Sequence, residues 1–278
     1  MKKRFGFILA VCQVLVIATL LSGCSSQNSS SAATGSALDK VLKSGTLTVA
    51  VFSDVPPWGF QDANHQPTGL DVDVANAMGK ALGVKVEFVS TTNANRIPYL
   101  QTKKVDCVVA SFTMNAERRK VVDFSMPYIV SGATLIINSK SASSASIKSI
   151  DDLKGKTIAV AKGSLNDELA TSLAGKTAKD ILRFDNVSDV FQALELGKAD
   201  VVIEDVTAIY IIKDQHPDFK AVGSLLSADY EGIGIYPGDQ RWLNWVNGFV
   251  EFNLLRNGQM KDICSKYGII YSPVNSVY

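Results

Sequence analysis

From Gly45 onward, short β-rich apolar runs alternate with stretches of helical period. Strands are predicted over residues 46–51, 84–89 and 106–110, and the same signal returns at 157–161, 181–184 and 200–204. Strands interleaved with helices argue for α/β architecture. Between the first two strands, residues 71–82 place Val72, Ala75, Met78 and Leu82 on one helical face. Asp71 stands in the N-cap position and Gly83 at the stop. Residues 138–149 are Ser-rich and read as a surface loop, whereas 240–267 read as helical. There Trp242, Val246, Phe249 and Leu254 or Leu255 form a core stripe, and Trp242 and Trp245 are assigned to packing.

Two segments repeat, which carries more weight than any single element. Gly45-Thr-Leu-Thr-Val-Ala-Val matches Gly155-Lys-Thr-Ile-Ala-Val-Ala. Leu100-Gln-Thr-Lys-Lys-Val-Asp106-Cys-Val-Val-Ala-Ser111 matches Leu194-Glu-Leu-Gly-Lys-Ala-Asp200-Val-Val-Ile-Glu-Asp205 through helix end, turn and strand. Two similar α/β lobes are therefore predicted, with Ser111 and Asp205 at equivalent carboxyl ends of strands. Ligands of α/β sheets bind at that end, so a cleft between facing lobes is expected.

Composition fits such a chain: 278 residues, 46% apolar and 20% charged, allow one or two domains with a sizeable core. The N-terminus is separate. Lys2, Lys3 and Arg4 precede an apolar run over 5–21 that ends in Leu21-Ser-Gly-Cys24. This reads as an export signal. The run approaches the length of a membrane span, but its end matches the bacterial lipobox, whose Cys is lipidated and becomes the mature N-terminus. Residues 1–23 are thus expected to be a signal peptide and Cys24 the lipidation site. Acyl chains contributing about 0.8 kcal/mol per buried methylene would anchor it stably. Residues 24–37, mostly Ser, Ala, Asn, Gln, Thr and Gly, read as a flexible tether, with ordered structure beginning near Leu38.

The formal charge is +1, and loss of Lys2, Lys3 and Arg4 leaves 25 basic against 27 acidic residues. Neither nucleic acid nor an anionic surface is implied as a partner. With Cys12 expected to leave with the signal and Cys24 to carry lipid, Cys107 and Cys264 remain as thiols. Both read as buried thiols, although an oxidising compartment permits a disulfide. With His65 and His216 they make no metal-ligand spacing.

Four stretches, in this order, carry a resemblance: Ser53-Asp-Val-Pro-Pro-Trp58-Gly-Phe60, Gly69-Leu-Asp-Val-Asp-Val-Ala75, Ser111-Phe-Thr-Met-Asn-Ala-Glu-Arg118-Arg119 and Val122-Asp-Phe-Ser-Met-Pro-Tyr128. From about Gly45 to the C-terminus the chain resembles the polar-amino-acid solute-binding proteins of ABC importers, bacterial extracellular family 3. The resemblance implies a periplasmic-binding-protein-like type II α/β fold, with two lobes joined by a two-strand hinge and the ligand cleft between them. Lobe 1 is expected over 38–130 plus 235–278 and lobe 2 over 131–234. It implies a monomer that binds a small amino acid, works with ABC permease subunits, and uses no cofactor, metal or catalytic residue. The membrane is met only through the lipid anchor, on the outer face of the cell membrane or in the periplasm.

In that family the Arg after the Thr-rich strand end pairs with the ligand α-carboxylate, which here implies Arg118. A guanidinium fork can donate two parallel bonds to a carboxylate. Taken alone, Glu117-Arg118-Arg119-Lys120 would be a solvated charge run, and Arg119 and Lys120 keep that reading. By the same match Ser111 and Thr113 serve the carboxylate and ammonium, and Asp205 takes the ammonium while also standing ahead of a helix. The turn Gly163-Ser164-Leu165-Asn166 offers N–H groups to an anion. Leu165 departs from the hydroxyl usual there, which leaves Ser164 and a backbone N–H for the carboxylate and Asn166 for the ligand side chain. Trp58 is read as a ring against the ligand, the alternative being a packed turn. Arg96, in Asn95-Arg-Ile-Pro98, either reaches a ligand side-chain carboxylate or pairs internally with Asp54 or another acid. If Arg118 and Asp205 neutralise the zwitterion, an unpaired buried Arg96 favours an acidic or amide ligand.

Two other functions share the scaffold. A cyclohexadienyl-dehydratase-like enzyme requires an acid in the cleft as proton donor, expected just after Asp205, where this chain has Val206-Thr-Ala-Ile209. No nucleophile with a paired base and no phosphate loop is visible either. An amino-acid-binding sensor or adhesin is the third function considered.

Overall fold

The protein is analysed as a computed structural model described over residues 35–271. The export segment, Cys24 and the tether up to residue 34 lie outside the described residues. Helix is already present at Ala37, one residue before the start expected from composition. Ser36 Oγ accepts from Leu38 N–H at 3.2 Å and donates to Asp239 Oδ1 at 2.8 Å, while Ala37 N–H donates to Asp239 Oδ2 at 2.6 Å. A serine of linker-like composition is thereby recruited as the N-cap of helix Ala37–Ser44.

Two five-stranded sheets repeat one plan. In the first, Lys85–Ser90, Thr46–Val51 and Cys107–Val108 run parallel, and Gly234–Ile235 pairs antiparallel with both Cys107–Val108 and the edge strand Asp123–Phe124. In the second, Asp180–Phe184, Thr157–Ala161 and Val201–Asp205 run parallel, and Ala133–Asn138 pairs antiparallel with both Val201–Asp205 and the edge strand Phe219–Val222. The correspondence extends to single hydrogen bonds. Asp106 Oδ2 accepts from Thr48 N–H at 2.9 Å and its own N–H donates to Thr48 O at 2.8 Å. Asp200 does the same with Thr157, at 2.8 Å in both directions. Each Asp therefore fixes the register of its lobe's central strands, which is why the repeat was visible in sequence.

The chain leaves the first lobe through Ile129–Ser131 and returns through Asp229–Glu231, which pair antiparallel with Glu231 opposite Ile129. This is the two-strand hinge. It brings Glu231 against Thr113, with which it forms an isolated bridge.

Several local expectations change. Helix Leu70–Leu82 is capped by Gly69, not by Asp71. Gly69 has φ 129°, and a Cβ there would lie 2.4 Å from Trp58 O, so no side chain fits. Asp71 sits one residue inside the helix and turns into the protein, where it is fully buried. Gly83 adopts the left-handed stop expected of it. The strand expected over 106–110 shortens to Cys107–Val108 because Ser111, at φ 39°, turns the chain away.

Helix Gln240–Gly248 continues as a π-helical stretch over Phe249–Arg256 before Gly258 breaks it. Trp242 is buried and donates Nε1–H to Asp106 O at 3.0 Å, and Trp245 stacks between Trp242 and Phe249. Packing is thus their role, and Leu254 rather than Leu255 completes the stripe. The Ser-rich loop is pinned by buried Ser144, which donates to Asp200 O and accepts from Asn138 N–H. Cys107 and Cys264 are buried free thiols, and burial pushes Cys264 up to about 12. No described helix is long and apolar enough to cross a membrane.

Candidate functional site

The residues singled out in sequence converge on one cavity between the lobes. Trp58, Arg96, Ser111 and Thr113 line it from the first lobe, and Ser164, Asn166 and Asp205 from the second. Arg118 does not line it. The cavity measures ≈ 30 Å³, whereas one that takes up a benzene ring measures about 150 Å³. Entry of an amino acid therefore requires the lobes to part.

The first-lobe wall is organised around Ser111. Its left-handed backbone is unusual for a residue with a Cβ, and two buried charges hold it. Asp71 Oδ2 accepts Ser111 N–H at 2.7 Å while Asp71 Oδ1 accepts the Tyr128 hydroxyl at 2.6 Å. Arg96 Nη1 donates to the carbonyls of Ala110 at 3.0 Å and Ser111 at 2.6 Å, and its guanidinium packs 4.6 Å from the Phe112 ring and 5.6 Å from Phe52. Burial raises Asp71 to about 7, against the pull of its two donors and of Arg96. Burial, with Arg118 nearby, lowers Arg96 to about 9, so it stays charged at neutral pH.

Arg96 does not pair with Asp54. That carboxylate crosses to the other lobe, where Oδ2 accepts Val187 N–H at 3.1 Å and Ser188 N–H at 3.4 Å at the start of helix Val187–Glu195. A negative charge at a helix N-terminus is favourable, so Asp54 ties the lobes together.

Arg118 lies behind the Ser111 turn. Nη1 donates to Thr113 O at 2.8 Å, and Nη2 to Glu168 Oε1 at 3.2 Å and Gly163 O at 3.4 Å. The guanidinium is buried, and burial lowers it while Glu168 and Glu231 raise it. Its fork bridges the lobes and holds a carboxylate, although that carboxylate belongs to the protein.

In the second lobe Ser164 Oγ donates to Ala161 O at 2.6 Å and accepts from Asp167 N–H at 3.1 Å, capping helix Leu165–Ala174. That hydroxyl is committed to the cap; the first-turn N–H groups of Leu165 and Asn166 have no intrahelical acceptor. Asn166 Nδ2 donates to Glu204 Oε1 at 3.0 Å. Asp205 Oδ1 accepts from Thr207 N–H at 2.7 Å and Oγ1 at 2.6 Å, ahead of helix Ala208–Gln215.

Sequence reasoning missed three acids in the same cavity: Glu204, Asp229 and Glu231. Carboxylate oxygens of Asp205, Asp229 and Glu231 lie within 4.8 Å of one another. Glu231 Oε1 accepts from Thr113 Oγ1 at 3.2 Å and Ser131 Oγ at 3.3 Å. No described residue donates to Glu231 Oε2, Asp229 Oδ1 or Glu204 Oε2, all buried. Burial raises Glu204 to about 7 and Asp229 to about 6, lifts Asp205, and places Glu231 well above the carboxylate range. The cavity therefore holds more acids than the charge count from Arg96 anticipates, each taking up a proton more readily than a free carboxyl. A warning was present in sequence only at Glu204, which adjoins Asp205.

The sequence model of the bacterial extracellular solute-binding proteins, family 3, matches residues 47–269. The L-cystine-binding protein TcyJ of Escherichia coli strain K12 is 29% identical, over 83% of this chain and 85% of that protein. A mutant of ArgBP from T. maritima has TM-score 0.77 at 32% identity, covering 83% of this chain and 98% of that one. The ancestral amino acid-binding protein AncCDT-1, a precursor of cyclohexadienyl dehydratase, also has TM-score 0.77, at 36% identity over 84% of this chain and 99% of that one.

Proposed function

This chain belongs to family 3 of the bacterial extracellular solute-binding proteins, and we propose that it is the receptor of an ABC importer that closes its lobes around a polar L-amino acid. One observation carries the reading: Ser111 and Thr113 of the first lobe and Ser164, Asn166 and Asp205 of the second meet at one cavity beside a two-strand hinge, with Arg118 bridging the lobes next to it. Arg118 takes the α-carboxylate, aided by Thr113 and the first-turn N–H groups after Ser164. Asp205 takes the α-ammonium, with Ser111 beside it. Trp58 covers the aliphatic part and Asn166 meets the side chain.

Contacts of this kind exist only when both lobes meet, so the ligand shifts the population toward the closed arrangement, which membrane-bound permease subunits read. In this reading lobe 1 comprises 38–130 and 235–278 and lobe 2 comprises 131–234, cut at the hinge strands. The protein acts as a monomer held to the membrane by lipid on Cys24. An acidic ligand is not retained, because the guanidinium that lines the cavity, Arg96, already donates to main-chain carbonyls and the other charged groups lining it are acids.

The dehydratase alternative gains one point, since Glu204 and Glu231 supply protonated carboxyls that the stretch after Asp205 lacks. It loses because prephenate brings two carboxylates, and the guanidinium lining the cavity, Arg96, is already engaged by the carbonyls of Ala110 and Ser111. The test is a thermal-shift screen of amino acids on protein stripped of co-purified ligand. At least one amino acid should raise the melting temperature as RT ln(1 + [L]/Kd) requires. No response to any of them, with formation of an aromatic product from prephenate, would refute the receptor.

A further inference from the structure

Four cavity carboxylates, Glu204, Asp205, Asp229 and Glu231, make no ion pair among the described residues. The two guanidiniums nearby are otherwise engaged. Arg118 is paired with Glu168, and Arg96 donates to main-chain carbonyls, with Glu231 and then Asp71 as the acids that most offset its charge. A zwitterionic amino acid brings one ammonium, which donates to Asp205, and one carboxylate, to which Arg118 donates. Glu204, Asp229 and Glu231 then still lack a directly paired cation, with only Arg96 and Arg118 offsetting them at longer range.

A second observation points to a ligand rather than to a stray acidic cluster. Each of the three carries an oxygen that no described residue serves, and each side chain is more than nine-tenths buried. The Trp58 indole N–H, which lines the same cavity, is likewise buried and unserved. A buried acceptor without a donor is costly. Several such acceptors around one cavity select a group that donates several hydrogen bonds and carries positive charge, as an ammonium or guanidinium does.

We infer that the ligand is an L-amino acid with a cationic side chain, whose second positive charge is shared among Glu204, Asp229 and Glu231. The inference rests on the amino-acid-receptor reading and narrows its substrate class. Asn166 Nδ2 fixes Glu204 Oε1, leaving Oε2 for the ligand. Thr113 and Ser131 fix Glu231 Oε1 in the same way, so each acid is oriented from behind by a neutral donor.

Isothermal titration of ligand-stripped protein with L-arginine, L-lysine and L-ornithine, and with L-glutamine, L-cystine and L-glutamate, tests this. A cationic amino acid should bind at least about tenfold tighter than the neutral ones and about a hundredfold tighter than glutamate, the range expected for one or two charge-assisted hydrogen bonds gained or lost. Glu204→Gln and Glu231→Gln should each weaken that ligand about tenfold and leave glutamine within about threefold. The wild-type ranking stands even if a variant fails to fold. Tightest binding by glutamine, cystine or glutamate overturns the inference and leaves the receptor intact. Binding of Ca²⁺ alone, with no cationic amino acid bound, overturns it in favour of a metal site. Absence of binding by every amino acid removes the receptor reading as well.

Discussion

Arg118 Nη2 lies 3.2 Å from Glu168 Oε1, joining a buried guanidinium of the first lobe to a half-exposed carboxylate of the second. Asn115 Nδ2 donates to the other Glu168 oxygen at 3.1 Å. The fork proposed for the ligand's carboxylate is therefore already holding one. On that proposal the ligand displaces Glu168, which keeps the arginine aligned until then.

Glu168→Gln should consequently tighten ligand binding. A pair with one partner in solvent is worth about 0.2–1 kcal/mol, so the dissociation constant should fall by about 1.4- to fivefold in titration calorimetry. Weaker binding would show that Glu168 stays on Arg118 in the complex and assists it.

Asp71→Asn should destabilise the fold. An amide cannot accept from both Ser111 N–H and the Tyr128 hydroxyl without turning its NH₂ toward one of them. One buried donor left unserved costs about 1–3 kcal/mol. At about 2–4 °C per kcal/mol for a chain of this size, the melting temperature should drop by several degrees. An unchanged value would mean the Ser111 turn is held by Arg96 alone.

The pH dependence follows from the same acids. Asp71 and Glu204 near 7 and Asp229 near 6 bind protons more tightly folded than unfolded. The stability they contribute is complete below their unfolded values of about 4 and is lost as pH rises through 6 to 7. Ligand-stripped protein should therefore melt lower at about pH 8 than at about pH 5. A cationic ligand favours the ionised acids, so binding should release protons and its apparent enthalpy should vary with the buffer's ionisation enthalpy. The same enthalpy in phosphate and Tris would contradict this.

Asp54→Ala removes the carboxylate from the start of helix Val187–Glu195 and with it a contact between lobes. Such a charge is worth about 0.3–1 kcal/mol, so affinity should fall about two- to fivefold. Small-angle scattering with ligand should show a larger radius of gyration than wild type; identical affinity and radius would mean closure does not use Asp54.

These residues also show why the sequence was legible where it was. Asp106 and Asp200 repeat because each must receive the N–H of a neighbouring strand at the same offset, so both sheets and both strand-end residues could be read directly. Asp71 was misplaced because an acid near a helix start resembles a cap, and only the fold reveals Ser111 and Tyr128 behind it. Glu204 lies in a strand buried throughout, where no alternation marks which side chains face the cavity. Asp229 and Glu231 enter through the hinge, far along the chain from Thr113, and no local pattern announces that approach. The fold was thus visible through local repetition, whereas the electrostatics of the site depended on long-range contacts.

The central claim is that Arg118 holds the ligand's carboxylate, and the measurement that tests it most directly is the ligand-induced thermal shift of Arg118→Ala. The variant should keep the circular dichroism of the wild type and lose the rise in melting temperature at any ligand concentration that stabilises the wild type. A shift equal to that of the wild type would contradict the clamp.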